Sequence, residues 1–285
     1  LQAITEKQYG KTNEATFMQV FLLTQSGYRV RMGLSASQQK LYMLLASQFG
    51  ICSMPYYTLD GLKFYPINAK GVTDMRICQA NYAKERSLNL QLTSEQRFGV
   101  EVSDKRTLTS KKGLTAPSYV NKNNISFFNT YPRAYINDDV TTCWAAYANT
   151  PVEKLTKETV YPALKKSING LSTRDAVGLL LNWVQTAFVY EYDDKVWGQD
   201  RPFFPSETLY YPYCDCEDRS ILFSRIVRDL LDLDVVLLYY PGHLATAVAI
   251  PGDVKGDYLT YKDKAYTVCD PTYIGAGIGR TMPGM

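Results

Sequence analysis

The sequence lacks a large net charge and a long apolar run. Its 31 Lys and Arg residues against 28 Asp and Glu residues leave a formal net charge of +3 over 285 residues. A surplus this small argues against a protein whose main partner is a nucleic-acid backbone. The longest apolar stretch, residues 235–250, is interrupted by Pro241, Gly242 and His243 and is too short to span a bilayer. We therefore expect no nucleic-acid partner and no transmembrane segment.

Cysteine is also scarce, and its positions do not form the dense pattern of a disulfide scaffold. The six cysteines are Cys52, Cys78, Cys143, Cys214, Cys216 and Cys269. The first ten residues contain neither the basic nor the apolar segment of a secretory signal peptide. We expect a soluble chain that is cytoplasmic, or exported and already processed, and the sequence leaves the compartment open.

A single histidine, His243, is present in the whole chain. Imidazole is the side chain that most readily exchanges a proton near neutral pH, so any chemistry that requires it must use this residue. The alternative for an isolated histidine is a hydrogen-bonded structural role. Its neighbours in the fold decide between the two.

Hydrophobic patterning divides the chain into three predicted segments: residues 1–70, 71–132 and 133–285. The first is predicted to be an α/β segment. The second is predicted to be a β-rich domain or insertion, because two stretches alternate apolar and polar residues as half-buried strands do. These stretches contain Leu88, Leu90 and Leu92, and Phe98, Val100 and Val102.

Within the first segment, we predict a helix capped by Asn13 and a hairpin turn at Asp60-Gly61. Residues 13–32 show the order helix, stop and strand, which is also the order predicted for residues 216–238. Residues 1–70 therefore contain either a degenerate internal repeat or a chance recurrence of a common pattern.

The third segment is predicted to contain apolar helices followed by antiparallel strands, which gives an α+β fold class. Ser172 with Asp175 three residues later resembles a capping box at the start of one helix. A second helix is predicted from about Cys216 to Leu231. The predicted strands cover residues 234–240, 243–250 and 265–269.

Three side chains of this segment could act together as nucleophile, base and orienting acid: Cys216, His243 and Asp270. Cys216 lies where a loop enters a helix, and the helix N-terminus favours the thiolate by lowering the thiol pKa. Glu217 and Asp218 oppose that effect locally. His243 begins one strand and Asp270 ends the next long one, so the carboxylate could accept a ring N–H and fix the tautomer.

The runs around these residues resemble the transglutaminase-like superfamily. They are Tyr213-Cys214-Asp215-Cys216-Glu217-Asp218-Arg219-Ser220, Tyr240-Pro241-Gly242-His243-Leu244-Ala245-Thr246-Ala247-Val248 and Cys269-Asp270-Pro271-Thr272. The resemblance covers residues 155–280 and implies a papain-like transglutaminase core, in which a helix carrying Cys216 packs on an antiparallel sheet. It makes residues 133–285 the catalytic domain, behind the N-terminal α/β and β-rich segments.

The resemblance implies a cysteine-dependent hydrolase or acyltransferase that acts on amide bonds, with a protein or peptide as substrate. The Cys216 thiolate would attack the carbonyl, and water or an amine would release the acyl group. Gln185 and Tyr190 are candidate oxyanion donors. Trp197, Tyr210 and Tyr211 are candidate cleft walls. No cofactor and no metal are expected, and the sequence does not select the acceptor, a calcium dependence or an oligomeric state.

Two alternatives stay open at this point. Cys214, Cys216, His243 and Cys269 together offer three thiolates and an imidazole, which is a plausible zinc set. The chain could also be a catalytically inactive transglutaminase-like protein that binds or scaffolds. Asp270 before Pro271 has the further interpretation of a turn residue.

Overall fold

The computed structural model describes residues 1–80, 82, 84–252 and 255–285. It shows an α+β protein whose contacts fall into two compact units. The first unit is Leu1–Leu90 with Pro132–Val140, and the second is Gln91–Tyr131 with Thr141–Met285. The chain thus enters the second unit at Gln91, whereas the pattern predicted a separate segment for residues 71–132. Among the residues described, none of the helices has the length and apolar character needed to cross a bilayer.

The first unit consists of two helices and a five-stranded sheet. Its elements are α1 (Gln2–Tyr9), α2 (Asn13–Gln25), β1 (Val30–Ser35), β2 (Lys40–Ala46), β3 (Gly50–Ile51), β4 (Tyr57–Leu59), β5 (Leu62–Pro66), β6 (Met75–Ile77) and, later in the chain, β9 (Ala134–Tyr135). The sheet has the order β4-β5-β2-β1-β6, and β3 pairs separately with β9. The Asp60-Gly61 hairpin is confirmed between β4 and β5.

The helix predicted from Asn13 is present, but its N-cap is Thr12. The Thr12 hydroxyl accepts the backbone N–H of Ala15 at 3.4 Å. The side-chain oxygen Oδ1 of Asn13 instead accepts the backbone N–H of Leu41 at 2.8 Å. Asn13 therefore ties α2 to the sheet, because its side chain meets a strand that the local sequence does not reveal.

The second unit contains the remaining elements. Its helices are α3 (Lys122–Phe128), α4 (Cys143–Asn149), α5 (Lys154–Ile168), α6 (Thr173–Ala187), α7 (Asp193–Val196), α8 (Pro205–Tyr210) and α9 (Cys216–Leu231). Its strands are β7 (Arg106–Thr109), β8 (Thr115–Ser118), β10 (Val189–Tyr190), β11 (Tyr213–Cys214), β12 (Val235–Tyr240), β13 (His243–Val248), β14 (Tyr258–Tyr261) and β15 (Lys264–Cys269).

The alternating stretches in residues 88–102 do not form the predicted strands. Across this part of the described chain, isolated bridges at Leu88 and Val102 replace strand ladders. Val100 is 70% exposed, so the alternation does not mark a buried sheet face. Helix α3 begins after Asn121, whose side chain accepts the backbone N–H of Asn123.

The core of the second unit forms where α6 and α9 pack together. Apolar side chains from both helices are fully buried there, including Leu180, Trp183, Leu222 and Phe223. The predicted cap of α6 is confirmed, since the Ser172 hydroxyl accepts the backbone N–H of Asp175 at 3.2 Å. These contacts pack α9, the helix that begins at Cys216, against α6.

Beside α9, an antiparallel four-stranded sheet has the order β12-β13-β15-β14. The hairpin between β12 and β13 pairs Tyr240 with His243, and β13 pairs Thr246 with Cys269 of β15. Gly242, the last residue of that hairpin turn, has a φ of +76°, a conformation that glycine adopts without steric strain. The start of β13 and the end of β15 are thereby brought to the same edge of the sheet.

Candidate active site

His243 and Asp270 meet at that edge. His243 Nε2 lies 2.9 Å from Asp270 Oδ2, and both side chains are buried. Asp270 Oδ1 accepts the backbone N–H groups of Thr272 at 2.8 Å and Tyr273 at 3.1 Å. Both oxygens of the carboxylate are therefore engaged. The contact uses Nε2 of the imidazole, which leaves Nδ1 as the nitrogen that can exchange a proton elsewhere.

Cys216 is the first residue of α9 and lies half-buried beside the start of β13. Helix α9 is joined to β13 there, because the Ser220 hydroxyl donates to the backbone carbonyl of Leu244, the residue after His243, at 2.7 Å. The thiol donates to Glu217 Oε2, with 3.1 Å between sulfur and oxygen. Among the residues described, no hydrogen bond joins this thiol to the imidazole. The structure thus places the N-terminal turn of α9, which carries Cys216, against β13, the strand that begins at His243. The hydrogen of the Cys216 thiol is directed towards Glu217.

The environment of Cys216 raises the pKa of its thiol, contrary to the expectation from its place at a helix N-terminus. Burial is the largest cause, and the negative charges of Glu217 and Asp215 add to it. A helix N-terminus favours the thiolate only modestly, whereas burial and adjacent carboxylates disfavour it strongly. The thiol is therefore protonated at neutral pH in this arrangement.

Five acidic side chains surround the N-terminus of α9: Asp193, Asp200, Asp215, Glu217 and Asp218. Ligand atoms of three sets lie within 4.8 Å of one another, namely Asp215 with Cys216 and Glu217, Asp193 with Asp215 and Asp218, and Asp193 with Asp200 and Glu217. Carboxylate oxygens are the ligands that calcium and magnesium prefer. If the protein binds a divalent cation, these side chains supply the donor atoms.

Burial dominates the electrostatics of this acidic group. It raises the pKa of Asp193 to about 6, and it raises the pKa values of Asp215 and Asp218 far above the usual carboxyl range. Asp218 Oδ1 accepts the backbone N–H of Phe203 at 2.8 Å. Among the described residues, Asp215 Oδ1 is buried and has no hydrogen-bond partner. Burial of several carboxylates side by side favours their protonated forms, because the ionised forms repel one another.

The ligand atoms of the four residues in the alternative zinc set (Cys214, Cys216, His243 and Cys269) do not form one of the three-ligand groups found among the described residues. Cys214 accepts a hydrogen bond from Arg219 Nε at 3.5 Å, and its thiol points to the carbonyl of Val189 at 3.8 Å. Burial raises the pKa of the Cys214 thiol to about 12. Within the described residues, His243 belongs to none of the groups that place three such ligand atoms within 4.8 Å. The geometry gives no support to a structural zinc site.

Gln185 has a different role from the predicted oxyanion donor. The side chain is 2% exposed, and its amide nitrogen donates to the carbonyls of Asp270, Tyr273 and Ala276 at 2.9, 3.0 and 3.1 Å. An amide has two N–H hydrogens, so three carbonyls occupy both of them. No donor is left for an oxyanion.

Tyr190 pairs with Cys214 across β10 and β11, two residues before Cys216. Burial is the main cause of the raised pKa of Tyr190, and charge repulsion from the ionised forms of Cys216 and Asp215 adds to it. The guanidinium of the fully buried Arg219 lies 5.2 Å from the ring centroid. Arg219 also donates to the carbonyls of Gln185 and Phe188. These hydrogen bonds hold the guanidinium that packs against the Tyr190 ring.

Of the predicted cleft residues Trp197, Tyr210 and Tyr211, the last contacts both of the others. The centroid of Tyr211 lies 4.9 Å from that of Trp197 and 5.0 Å from that of Tyr210. The Arg201 guanidinium covers Trp197 at 4.1 Å. These contacts give the three rings a packing role, and their role as cleft walls stays a prediction.

Two contacts of the site were not predicted from the sequence. The Cys216 thiol donates a hydrogen bond to Glu217, and the buried Arg219 guanidinium lies over the Tyr190 ring. An arginine three residues after Cys216, at the start of the apolar stretch of α9, is the signal that could have indicated the buried cation. The acidic contribution of Asp193 had no local signal, because α7 meets α9 only in the folded chain.

Comparisons with known proteins place no further constraint on the site. The chain matches no family model, no curated protein and no solved structure.

Proposed function

We propose that the protein is a cysteine-dependent hydrolase or acyltransferase that acts on amide bonds, with Cys216 as nucleophile, His243 as base and Asp270 as the acid that orients the imidazole. The contact between His243 Nε2 and Asp270 Oδ2 at 2.9 Å is the observation that carries this proposal. It joins the only histidine of the chain to a carboxylate whose other oxygen is already satisfied by two backbone N–H groups.

The proposed reaction begins with the neutral thiol. His243 accepts the proton of Cys216 as the sulfur attacks the amide carbonyl, since the raised pKa of the thiol disfavours a pre-formed thiolate. A carbon–sulfur bond forms, the carbon–nitrogen bond of the amide breaks, and the imidazolium returns its proton to the leaving amine. Water or a second amine then attacks the thioester and regenerates the thiol.

For this sequence of steps the thiol must turn from Glu217 towards the imidazole. The helix that carries Cys216 and the strand that carries His243 are already joined, because the Ser220 hydroxyl donates to the backbone carbonyl of Leu244 at 2.7 Å. Backbone N–H groups at the start of α9 and the Tyr190 hydroxyl are the candidate donors to the oxyanion. The papain-like transglutaminase core and a peptide or protein substrate are parts of the same proposal.

The second candidate is a transglutaminase-like binding protein without turnover. The hydrogen bond from the thiol to Glu217, rather than to His243, favours this alternative. It predicts that no acyl group is transferred to Cys216 under any condition.

Acylation by p-nitrophenyl acetate separates the two candidates, because the release of nitrophenolate reports formation of an acyl-enzyme. We expect an initial burst with the intact chain, and its loss in Cys216→Ala and His243→Ala. Cys78→Ala removes an exposed free thiol and serves as the matched control, with an unchanged burst. Equal, slow acylation in all four proteins would contradict the enzymatic proposal.

A further inference from the structure

The loop that carries Asp270 is held from the protein interior by one side chain. Residues 270–276 follow β15, and Ile274 and Gly275 in this loop are exposed. Gln185, which projects from the last turn of α6, bonds to the carbonyls of Asp270, Tyr273 and Ala276. Three contacts to one loop, made by one buried amide, fix both ends and the middle of the segment.

The same loop determines how the Asp270 carboxylate points. The backbone N–H groups of Thr272 and Tyr273 bond to Asp270 Oδ1, which leaves Oδ2 for His243. Gln185 holds the carbonyls of Asp270 and Tyr273, two of the residues that form this turn. The orientation of the carboxylate therefore depends on the position of the Gln185 amide.

Gln185 is also connected to the helix that carries the nucleophile. Its backbone carbonyl accepts a hydrogen bond from Arg219 Nη1 at 3.2 Å, and Arg219 lies three residues after Cys216 in α9. One residue thus bonds through its side chain to the Asp270 loop and through its backbone to α9. A shift of Gln185 alters the distance between the two halves of the site.

We propose that Gln185 is a positioning residue that sets the orientation of Asp270, and through it the imidazole of His243, for proton transfer. The inference rests on the proposed function, because it assigns Gln185 a place in that reaction. Gln185 was predicted to contact the oxyanion directly. In this proposal it acts instead through the loop that carries Asp270. The imidazole is expected to lose its fixed orientation when the amide donors are removed.

Gln185→Met tests this role, since methionine preserves the length of the side chain and removes both donors. Trp183→Phe is the matched control: it lies on the same helix, is fully buried, and donates one hydrogen bond to the carbonyl of Leu108 at 3.1 Å. That hydrogen bond joins α6 to β7 and not to the Asp270 loop. Both variants remove a buried donor from α6, so a general loss of packing affects both.

The readout is the pair of ¹⁵N resonances of the imidazole, which is the only one in the chain. Asp270→Asn defines the spectrum of an imidazole without its carboxylate. We expect Gln185→Met to move the resonances towards that spectrum and to slow acylation by p-nitrophenyl acetate about 10²-fold, as small misplacements of catalytic groups do. Trp183→Phe should retain the spectrum of the intact chain.

A spectrum of Gln185→Met identical to that of the intact chain would overturn the proposal, whatever its activity. If Gln185→Met does not fold, Gln185→Asn is used, because its amide is one methylene shorter and cannot reach all three carbonyls. The spectrum separates this inference from the proposed function. If Gln185→Met shifts the resonances while His243→Ala acylates normally, the positioning role stands and the enzymatic proposal fails.

Discussion

Replacing Glu217 by Gln should lower the pKa of the Cys216 thiol and make the sulfur more reactive. Glu217 Oε2 accepts a hydrogen bond from the Cys216 thiol, and the charge of Glu217 is the second cause of the raised thiol pKa, after burial. Glutamine keeps the shape of the side chain and removes the charge. The thiol then loses the neighbour that most disfavours its ionisation.

The size of the effect follows from the separation of the two atoms. At the 3.1 Å between Sγ and Oε2, the repulsion between two unit charges is about 1.3 kcal/mol in water and about 5 kcal/mol at an effective dielectric constant of about 20. One pKa unit corresponds to about 1.4 kcal/mol. Glu217→Gln is therefore expected to lower the thiol pKa by at least about one unit and to raise the thiolate fraction about tenfold.

The assay is the rate of iodoacetamide alkylation at Cys216 between about pH 6 and 9, because the thiolate is the reactive form. Peptide mapping by mass spectrometry distinguishes Cys216 from the other cysteines. Glu191→Gln is the control, since it removes one carboxylate from the exposed ion pair with Lys195 and leaves the thiol contact intact. An alkylation rate of Glu217→Gln equal to that of the intact chain at every pH would refute this account of the thiol.

Three further outcomes are expected. Burial raises the pKa of Asp193 from 3.8 to about 6, so the folded state binds this proton more tightly, and the stability that this provides below about pH 4 is lost as the pH rises through 6. Asp215 and Asp218 also have raised pKa values, so urea titrations of Asp193→Asn should still show a loss, smaller than that of the intact chain by about 3 kcal/mol. Arg219→Met leaves the carbonyls of Gln185 and Phe188 without a donor and should destabilise the chain by about 2–6 kcal/mol; a urea midpoint unchanged from that of the intact chain would contradict the buried-cation argument. If the Tyr190 hydroxyl stabilises the oxyanion, Tyr190→Phe should slow acylation by p-nitrophenyl acetate about 10²-fold, and an unchanged rate would exclude that role.

The sequence predicted those parts of the fold that depend on local patterns. The capping box at Ser172, the Asp60-Gly61 hairpin and the antiparallel strands after α9 each follow from residues a few positions apart. The sequence also predicted that Cys216 begins a helix and that His243 and Asp270 lie at the ends of two strands, because β13 and β15 are apolar runs. Their chain order was sufficient to predict that His243 and Asp270 lie close together.

The local pattern was insufficient wherever a distant segment decides the outcome. Gln185 lies on the buried face of α6, but the loop that it holds comes 85 residues later. The pKa of Cys216 was expected to be low because the helix N-terminus is a local feature. Burial and the carboxylates around the thiol reverse that expectation, and the acidic group is completed by Asp193 and Asp200 from outside α9.

The most direct test of the central claim is to trap the acyl-enzyme and to locate the acyl group. The chain is mixed with p-nitrophenyl acetate, quenched in acid during the burst and mapped by mass spectrometry. Acetylation confined to Cys216, and absent from that residue in His243→Ala, is the predicted result. Acetyl groups spread over the exposed thiols and lysines, with Cys216 unmodified, would show that the cysteine and the imidazole do not act together.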